Sequence, residues 1–175
     1  MQKGYQTLNL NKSQYNLKEV ILNIITDYKS QIKSEGKDNK VKLMFASKEN
    51  DDDNIFVYGD AERMTQVISN LLSNAIKFTE EGLVVVKIER KKDSDKKNQE
   101  VVLVSVRDTG KGVEPTIEDK LFEKFATKSE KGIGLGLYLS RKIIEAHYGG
   151  MIWAENNNAK DGKGATFYFC LPLSR

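Results

Sequence analysis

Two asparagines stand four residues apart in the apolar stretch NLLSNAIKF: Asn70 and Asn74, followed by Lys77 and Phe78. Asparagine is a mediocre helix former because its amide competes for backbone hydrogen bonds. In helical projection, at about 100° per residue, Arg63, Gln66, Asn70, Asn74 and Lys77 fall in one narrow arc. Met64, Val67, Leu71, Ala75 and Phe78 fill the neighbouring arc. The polar stripe therefore belongs at the edge of a core, where a cleft wall can form. An amide oxygen is a neutral hard ligand, suited to a Mg²⁺ ion that keeps several waters. A lysine is a point charge for phosphate. Taken alone, the stripe is equally a polar helix edge facing water.

Two glycine-rich stretches bear on the same question. DTGKGV follows directly on the apolar run VVLVSVR, so Asp108 lies at a strand end and Gly110 and Gly112 free the backbone to turn. Asp108 can accept hydrogen bonds from an amino group. GIGLGL places Gly132, Gly134 and Gly136 immediately before a helical pattern, a layout that offers backbone N–H groups and a positive helix end to an anion. Each stretch alone is weak evidence. The chain has no P-loop, no complete dinucleotide G-x-G-x-x-G pattern and no HRD or DFG signature. A nucleotide would have to be bound in another way.

Composition narrows the remaining classes. The 175 residues suit one domain with a real core. Hydrophobic content of 39% and charged content of 30% describe a globular chain. The net charge of +3 arises from scattered lysines, so nucleic acid is a poor candidate partner. The single cysteine, Cys170, excludes an internal disulfide and a thiolate metal cluster. The single histidine, His147, leaves little room for zinc. No apolar run approaches the roughly 20 residues that span a bilayer.

Several elements must position these residues. NLKEVILNIITDYKSQI opens with a capping-box pattern, Asn16 then Glu19, and continues with helical apolar spacing. VKLMFAS and IFVYG read as strands joined by the acidic turn ENDDDN. Asp60 can cap the next helix, which runs to about Phe78. LVVVKIER and VVLVSVRD form an expected antiparallel hairpin. A short EDKLFEKF helix follows, then the helix LGLYLSRKIIEAHY, stopped by Gly149 and Gly150. MIWAENN and ATFYFCL form a last hairpin around NAKDGKG. The pattern predicts an α+β two-layer sandwich: a mixed, mostly antiparallel sheet covered on one face by three main helices.

The order Asn70-x-x-x-Asn74, DTGKG, LFEKF, GIGLGL and GKGATFYFCLP resembles the N, G1, F, G2 and G3 boxes of the catalytic ATP-binding domain of two-component histidine kinases. QVISNLLSNAIKFT and GLGLYLSRKIIEAHYGG are also similar to the family pattern. The resemblance covers roughly residues 15–173 and implies the Bergerat ATP-binding fold, shared with gyrase, a heat-shock chaperone and mismatch-repair ATPases. Residues 1–14 are then expected to be linker from a missing dimerisation domain, and 15–175 the catalytic domain.

The resemblance implies a role for each matching residue. Asn74 would coordinate Mg²⁺ on the ATP phosphates, with Asn70 assisting through water or a phosphate. Lys77 would contact phosphate and Phe78 would lie near adenine. Asp108 would accept from the adenine amino group, with Gly110, Gly112 and Val113 beside it. Residues 113–133 would form the ATP lid, anchored by Phe122 and Phe125 and charged by Lys128 and Lys131. Gly132, Gly134, Leu135, Gly136 and Leu137 would wrap the triphosphate, and Thr166 would reach the adenine side.

The implied activity is donation of the ATP γ-phosphate to a histidine on a separate dimerisation domain. A response regulator would be the downstream partner. The domain is expected to be a cytoplasmic monomer that touches neither nucleic acid nor membrane. The alternatives are a related ATPase or serine kinase, or a nucleotide-binding pseudokinase. An ATPase of this fold would carry glutamate at position 70, and Asn70 cannot serve as a general base. Two departures are Ile133, where the family commonly has Thr or Ser, and the lack of an acceptor other than His147, which is expected to be structural.

Overall fold

A computed structural model describes residues 11–47, 54–92, 99–116, 120–124, 135–157 and 163–173, with the backbone alone at His147. Strand β1 (Ser13–Asn16) leads into helix α1 (Leu17–Ser34). Strands β2 (Val41–Ser47) and β3 (Phe56–Gly59) precede helix α2 (Ala61–Phe78). The hairpin β4 (Gly82–Lys92) and β5 (Glu100–Asp108) is followed by helix α3 (Gly136–Tyr148) and the hairpin β6 (Met151–Asn156) and β7 (Ala165–Pro172).

The main sheet has five strands in the order β2-β4-β5-β7-β6. Only the β2–β4 pair is parallel; the other three are antiparallel. Alternation sends Val84, Val86 and Ile88, Val102, Val104 and Val106, and Phe167, Phe169 and Leu171 to one buried face. The helices cover that face: α1 lies against β2, α2 against β4 and β5, and α3 against β6 and β7. The opposite face is open and carries the stacked rings of Trp153 and Tyr168 (centroids 5.1 Å apart) and a Lys87–Glu89–Lys91 ion cluster. The predicted two-layer architecture is thus the one observed.

Several local features depart from the expected pattern. VKLMFAS and IFVYG do not pair with each other: β2 joins the main sheet, and β3 pairs antiparallel with β1 in a separate two-stranded sheet. The outer apolar pattern of IFVYG suited either sheet, and only the partner decided. Ser13 and Gln14, read as linker, are already in β1, paired with Gly59 and Tyr58. Asn16 occupies the N-cap of α1 but makes no capping bond. Its amide instead accepts from Ile55 N–H (3.3 Å) and donates to Asn54 Oδ1 (2.8 Å), fastening the start of α1 to the segment before β3. The expected EDKLFEKF helix is described only over 120–124, which form turns.

Asp60 does cap α2. Its Oδ1 accepts from the N–H groups of Glu62 (3.0 Å) and Arg63 (3.2 Å), and its Oδ2 accepts from Asn11 N–H (3.0 Å). Burial pushes the carboxyl up, but these N–H donors and the Arg63 charge outweigh it and hold the group below the usual aspartate range. The Asp60 carbonyl accepts from the Tyr148 hydroxyl at the end of α3 (2.8 Å). Because the single Tyr148 proton is used there, the Tyr15 hydroxyl is the donor in the 2.8 Å Tyr15–Tyr148 bond. One relay therefore joins β1, the start of α2 and the end of α3.

Gly59 lets this relay form. A Cβ there would lie 2.1 Å from the Tyr148 ring. Tyr148→Phe should lower unfolding free energy by about 1–3 kcal/mol, since it strands two buried polar groups. Gly59→Ala should cost at least as much through overpacking. Urea denaturation of the two variants checks both, and an unchanged midpoint in either would show that the relay contributes nothing.

Candidate functional site: a cleft between α2, the end of β5 and the start of α3

Helix α2 is held by one apolar face. Met64, Val67, Ile68, Leu71, Leu72 and Ala75 are buried, so the helix cannot rotate without exposing them. That burial fixes where the polar stripe points. Arg63 donates to Gln66 Oε1 (3.3 Å), so the first part of the stripe is engaged with itself. Asn70 reaches α3: its Nδ2 donates to the Gly136 carbonyl (3.2 Å) and Ser140 Oγ (3.3 Å). Two acceptors on that side orient the amide, turning Oδ1 away from them. Asn74 is half-buried and makes no side-chain hydrogen bond with any described residue.

Helix α3 begins beside this stripe. Leu135, its N-cap, has no side chain that could satisfy the first-turn N–H groups, and no described side chain caps that positive helix end. Ser140 is fully buried and donates to the Gly136 carbonyl (2.9 Å), so Asn70 and Ser140 together lock the first turn.

Asp108 ends β5 on the helix-covered face, in register with Val84. It is 3% exposed. Its Oδ1 accepts from Gly110 N–H (2.8 Å) and Ala165 N–H (3.3 Å), and Oδ2 takes no hydrogen bond from a described residue. Burial raises its carboxyl above the ordinary aspartate range, against the pull of the two N–H donors. Gly110 is needed because a Cβ would lie 2.3 Å from the Phe78 carbonyl, so the close approach at this glycine is to the end of α2. The half-exposed Phe78 ring has the ammonium groups of both Lys77 and Lys111 at 5.3 Å from its centroid. The site thus joins an acceptor pocket, two amides, two lysines and a helix N-terminus.

The segment expected to anchor a lid is partly described. Leu121 is buried, Phe122 meets Phe167 edge-on at 6.4 Å, and Lys124 lies over the Tyr138 ring at 5.1 Å. Leu137 packs against the core, whereas Leu135 is exposed. Phe125, Lys128, Lys131, Gly132, Ile133 and Gly134 lie outside the described residues.

Thr166 requires a correction. It pairs with Arg107, whereas its neighbours Ala165 and Phe167 face the core. Strand alternation puts its side chain on the other face of β7, where its hydroxyl donates to Asn157 Oδ1 (2.7 Å). The residue of this strand that touches the Asp108 carboxylate is Ala165, through a backbone N–H that no side-chain reading could flag. Lys111, Ser140, Asn156 and Asn157 were also missed. Lys111 was legible within DTGKGV, but the asparagines read only as the polar end of the strand MIWAENN.

A family model described as histidine kinase-, DNA gyrase B-, and HSP90-like ATPase matches residues 59–175. The chain belongs to this family. Among relatives, the adaptive-response sensory kinase SasA of Gloeothece citriformis (strain PCC 7424) is 44% identical over 124 residues, which is 68% of this chain and 29% of SasA. The phytochrome-like protein Cph1 of Synechocystis sp. (strain ATCC 27184 / PCC 6803 / Kazusa) is 32% identical over 161 residues, 90% of this chain and 19% of Cph1. The chain thus spans less than a third of either relative. A structure of the catalytic domain of histidine kinase ThkA in a nucleotide-free form superposes with a TM-score of 0.74 at 30% identity, covering 93% of this chain and 96% of that one. The protein is therefore a histidine-kinase catalytic domain with an ATP-binding fold. Among the described residues no helix is long and apolar enough to cross a membrane, and no cluster of His, Cys, Asp or Glu could hold a metal by itself.

The raised Asp108 carboxyl gives a signed prediction. A folded-state value above the unfolded one means the folded protein holds the extra proton, so stability falls as pH rises from the ordinary aspartate value through the raised one. Asp108→Asn should remove that fall and leave the nucleotide-free domain at least as stable at neutral pH. It should also cost on the order of tenfold or more in ADP affinity. The Asn oxygen would be retained by Gly110 and Ala165, turning an NH₂ group towards the ligand. Urea titrations across the carboxylate range and calorimetric binding of ADP check both parts.

Proposed function

We propose that this domain binds Mg-ATP in the cleft and donates the γ-phosphate to a histidine on a separate dimerisation domain. The observation that carries the reading is the buried Asp108 carboxylate, with Oδ1 held by backbone N–H groups and Oδ2 bonded to no described residue. Such an oxygen accepts from the 6-amino group of adenine and repels the 6-carbonyl of guanine. Phe78 offers a ring beside the base, and Lys77 and Lys111 offer charge. The first turn of α3 offers N–H groups to the phosphates.

The donor set fits magnesium. Asn74, with Asn70 Oδ1 on the same stripe, supplies neutral amide oxygens, suited to an ion that keeps most of its shell as water and phosphate oxygen. Magnesium, when bound, would neutralise charge on the transferring phosphoryl group. Asn70 holds the start of α3 and orients phosphate or water. It cannot remove a proton from water, so transfer to a partner is favoured over hydrolysis. His147 lies in the last turn of α3, about 16 Å along the helix from its N-terminus, and is a poor acceptor on that ground. In the ThkA structures, the kinase is also seen with the response regulator TrrA. By analogy, a response regulator is the downstream partner here, in a cytoplasmic setting.

Two outcomes test the reading. Asn74→Ala should sharply weaken Mg²⁺-dependent ATP binding while moving nucleotide-free stability by no more than about 0.5 kcal/mol, since the side chain makes no hydrogen bond with a described residue. A large stability loss would make Asn74 structural. In the second experiment, labelled ATP and Mg²⁺ are mixed with the domain and an added dimerisation domain carrying the acceptor histidine. Acid-labile label should appear on the added partner, and His147→Ala should leave that transfer intact. Robust self-labelling abolished by His147→Ala would overturn the proposal.

A further inference from the structure

Asn156 ends β6 and Asn157 follows it, and both asparagines are built into the nucleotide corner. Asn156 uses both ends of its amide on one residue: Oδ1 accepts from Val113 N–H (2.7 Å) and Nδ2 donates to the Val113 carbonyl (2.9 Å). This reproduces the paired bonds that a neighbouring antiparallel strand would make. The adjacent Asn157 donates through Nδ2 to the Asp108 carbonyl (2.8 Å) and the Lys163 carbonyl (3.1 Å). Its Oδ1 accepts from the Thr166 hydroxyl (2.7 Å), and its backbone N–H donates to the Gly164 carbonyl (2.9 Å). The carbonyl partners and the N–H partner leave one orientation for each amide.

The surrounding backbone is shaped around these contacts. Gly112 has φ +78, and a Cβ there would lie 2.7 Å from Asn156 Oδ1. Gly164 has φ +107, and a Cβ there would lie 2.1 Å from the Asp108 carbonyl. Both glycines sit in backbone conformations that L side chains rarely adopt, and both leave room for the contacts around the amides.

We propose that Asn156 and Asn157 are positioning residues of the nucleotide site. Asn157 holds the strand end that aims the Asp108 carboxylate. Asn156 holds Val113, so that the chain departs towards the lid from a fixed point. Neither amide touches the nucleotide. The proposal rests on the reading of Asp108 as the adenine acceptor.

The test measures ADP affinity by calorimetry, urea denaturation without nucleotide, and hydrogen exchange at Val113. Asn156 is exposed, so Asn156→Ala should keep its denaturation midpoint while weakening ADP binding on the order of tenfold and speeding Val113 exchange. Asn156→Asp keeps the acceptor for Val113 N–H but sets a carboxylate oxygen against the Val113 carbonyl, so it should bind ADP no better than Asn156→Ala. Asn157→Ala should weaken ADP binding at least as much; if it fails to fold, Asn156→Ala decides. Should the unmodified domain bind ADP while the Asn156 variants bind it within twofold of that affinity, the positioning role is wrong and the nucleotide reading stands. If the unmodified domain binds no ADP, both fall.

Discussion

The buried carboxylate of Asp108 is the constraint around which the functional end of the domain is arranged. Removing a carboxylate from water is costly unless hydrogen bonds compensate. Here Gly110 and Ala165 each supply a backbone N–H to one oxygen, while burial keeps the carboxyl raised. Those two bonds require the turn after β5 and the start of β7 to come within hydrogen-bond reach of one side chain. Side chains at Gly110 or Gly164 would prevent it, since their Cβ atoms would fall 2.3 Å from the Phe78 carbonyl and 2.1 Å from the Asp108 carbonyl. The glycines at this end serve the packing of backbone on backbone. The acceptor left over is the group that a purine amine can use.

Helix α2 carries the other half of the arrangement. Its apolar face is anchored by residues such as Leu71, whose replacement by alanine would cost about 2–5 kcal/mol. Its amide stripe is consequently held at the cleft edge without needing strong polar contacts of its own. Asn70 spends its NH₂ on Gly136 and Ser140 and so couples the polar stripe to α3. Where α2 starts and α3 ends, Asp60 and Tyr148 make the second tie. Helices α2 and α3 are thus joined at two places, and the space between them is set by hydrogen bonds as well as by packing.

Asparagine at position 70 also separates two chemistries available to this fold. An amide oriented by two acceptors is a rigid spacer with no proton-accepting role towards water. Its neighbour Asn74, on the same stripe, keeps its polar atoms clear of the described structure. The two asparagines that looked alike in the sequence therefore differ in the fold: one holds a helix start and the other makes no hydrogen bond with a described residue.

Periodicity alone determined most of the architecture. Helical spacing marked α1, α2 and α3, the apolar runs marked all six expected strands, five of which build the main sheet, and Asp60 before an amphipathic run was a cap with a known mechanism. Box order and residue type were enough to indicate the family and to point to Asn70, Asn74 and Asp108, because those signals are local in the chain. What remained undecided depended on partners distant in sequence. Whether IFVYG joined the main sheet turned on β1, a four-residue strand too short to show a period. Asn16 looked like a cap until the 54–55 segment took its side chain. Thr166 was placed one residue away from the strand position that meets the carboxylate, because only the register of β7 on β5 says which face a side chain takes. Asn156 and Asn157 were only the polar end of the strand MIWAENN until folding brought Val113 and Asp108, 43 and 49 residues away, within reach of their amides. Hydrogen bonds between such remote groups leave no period or motif along the chain, so only the tertiary structure could assign them.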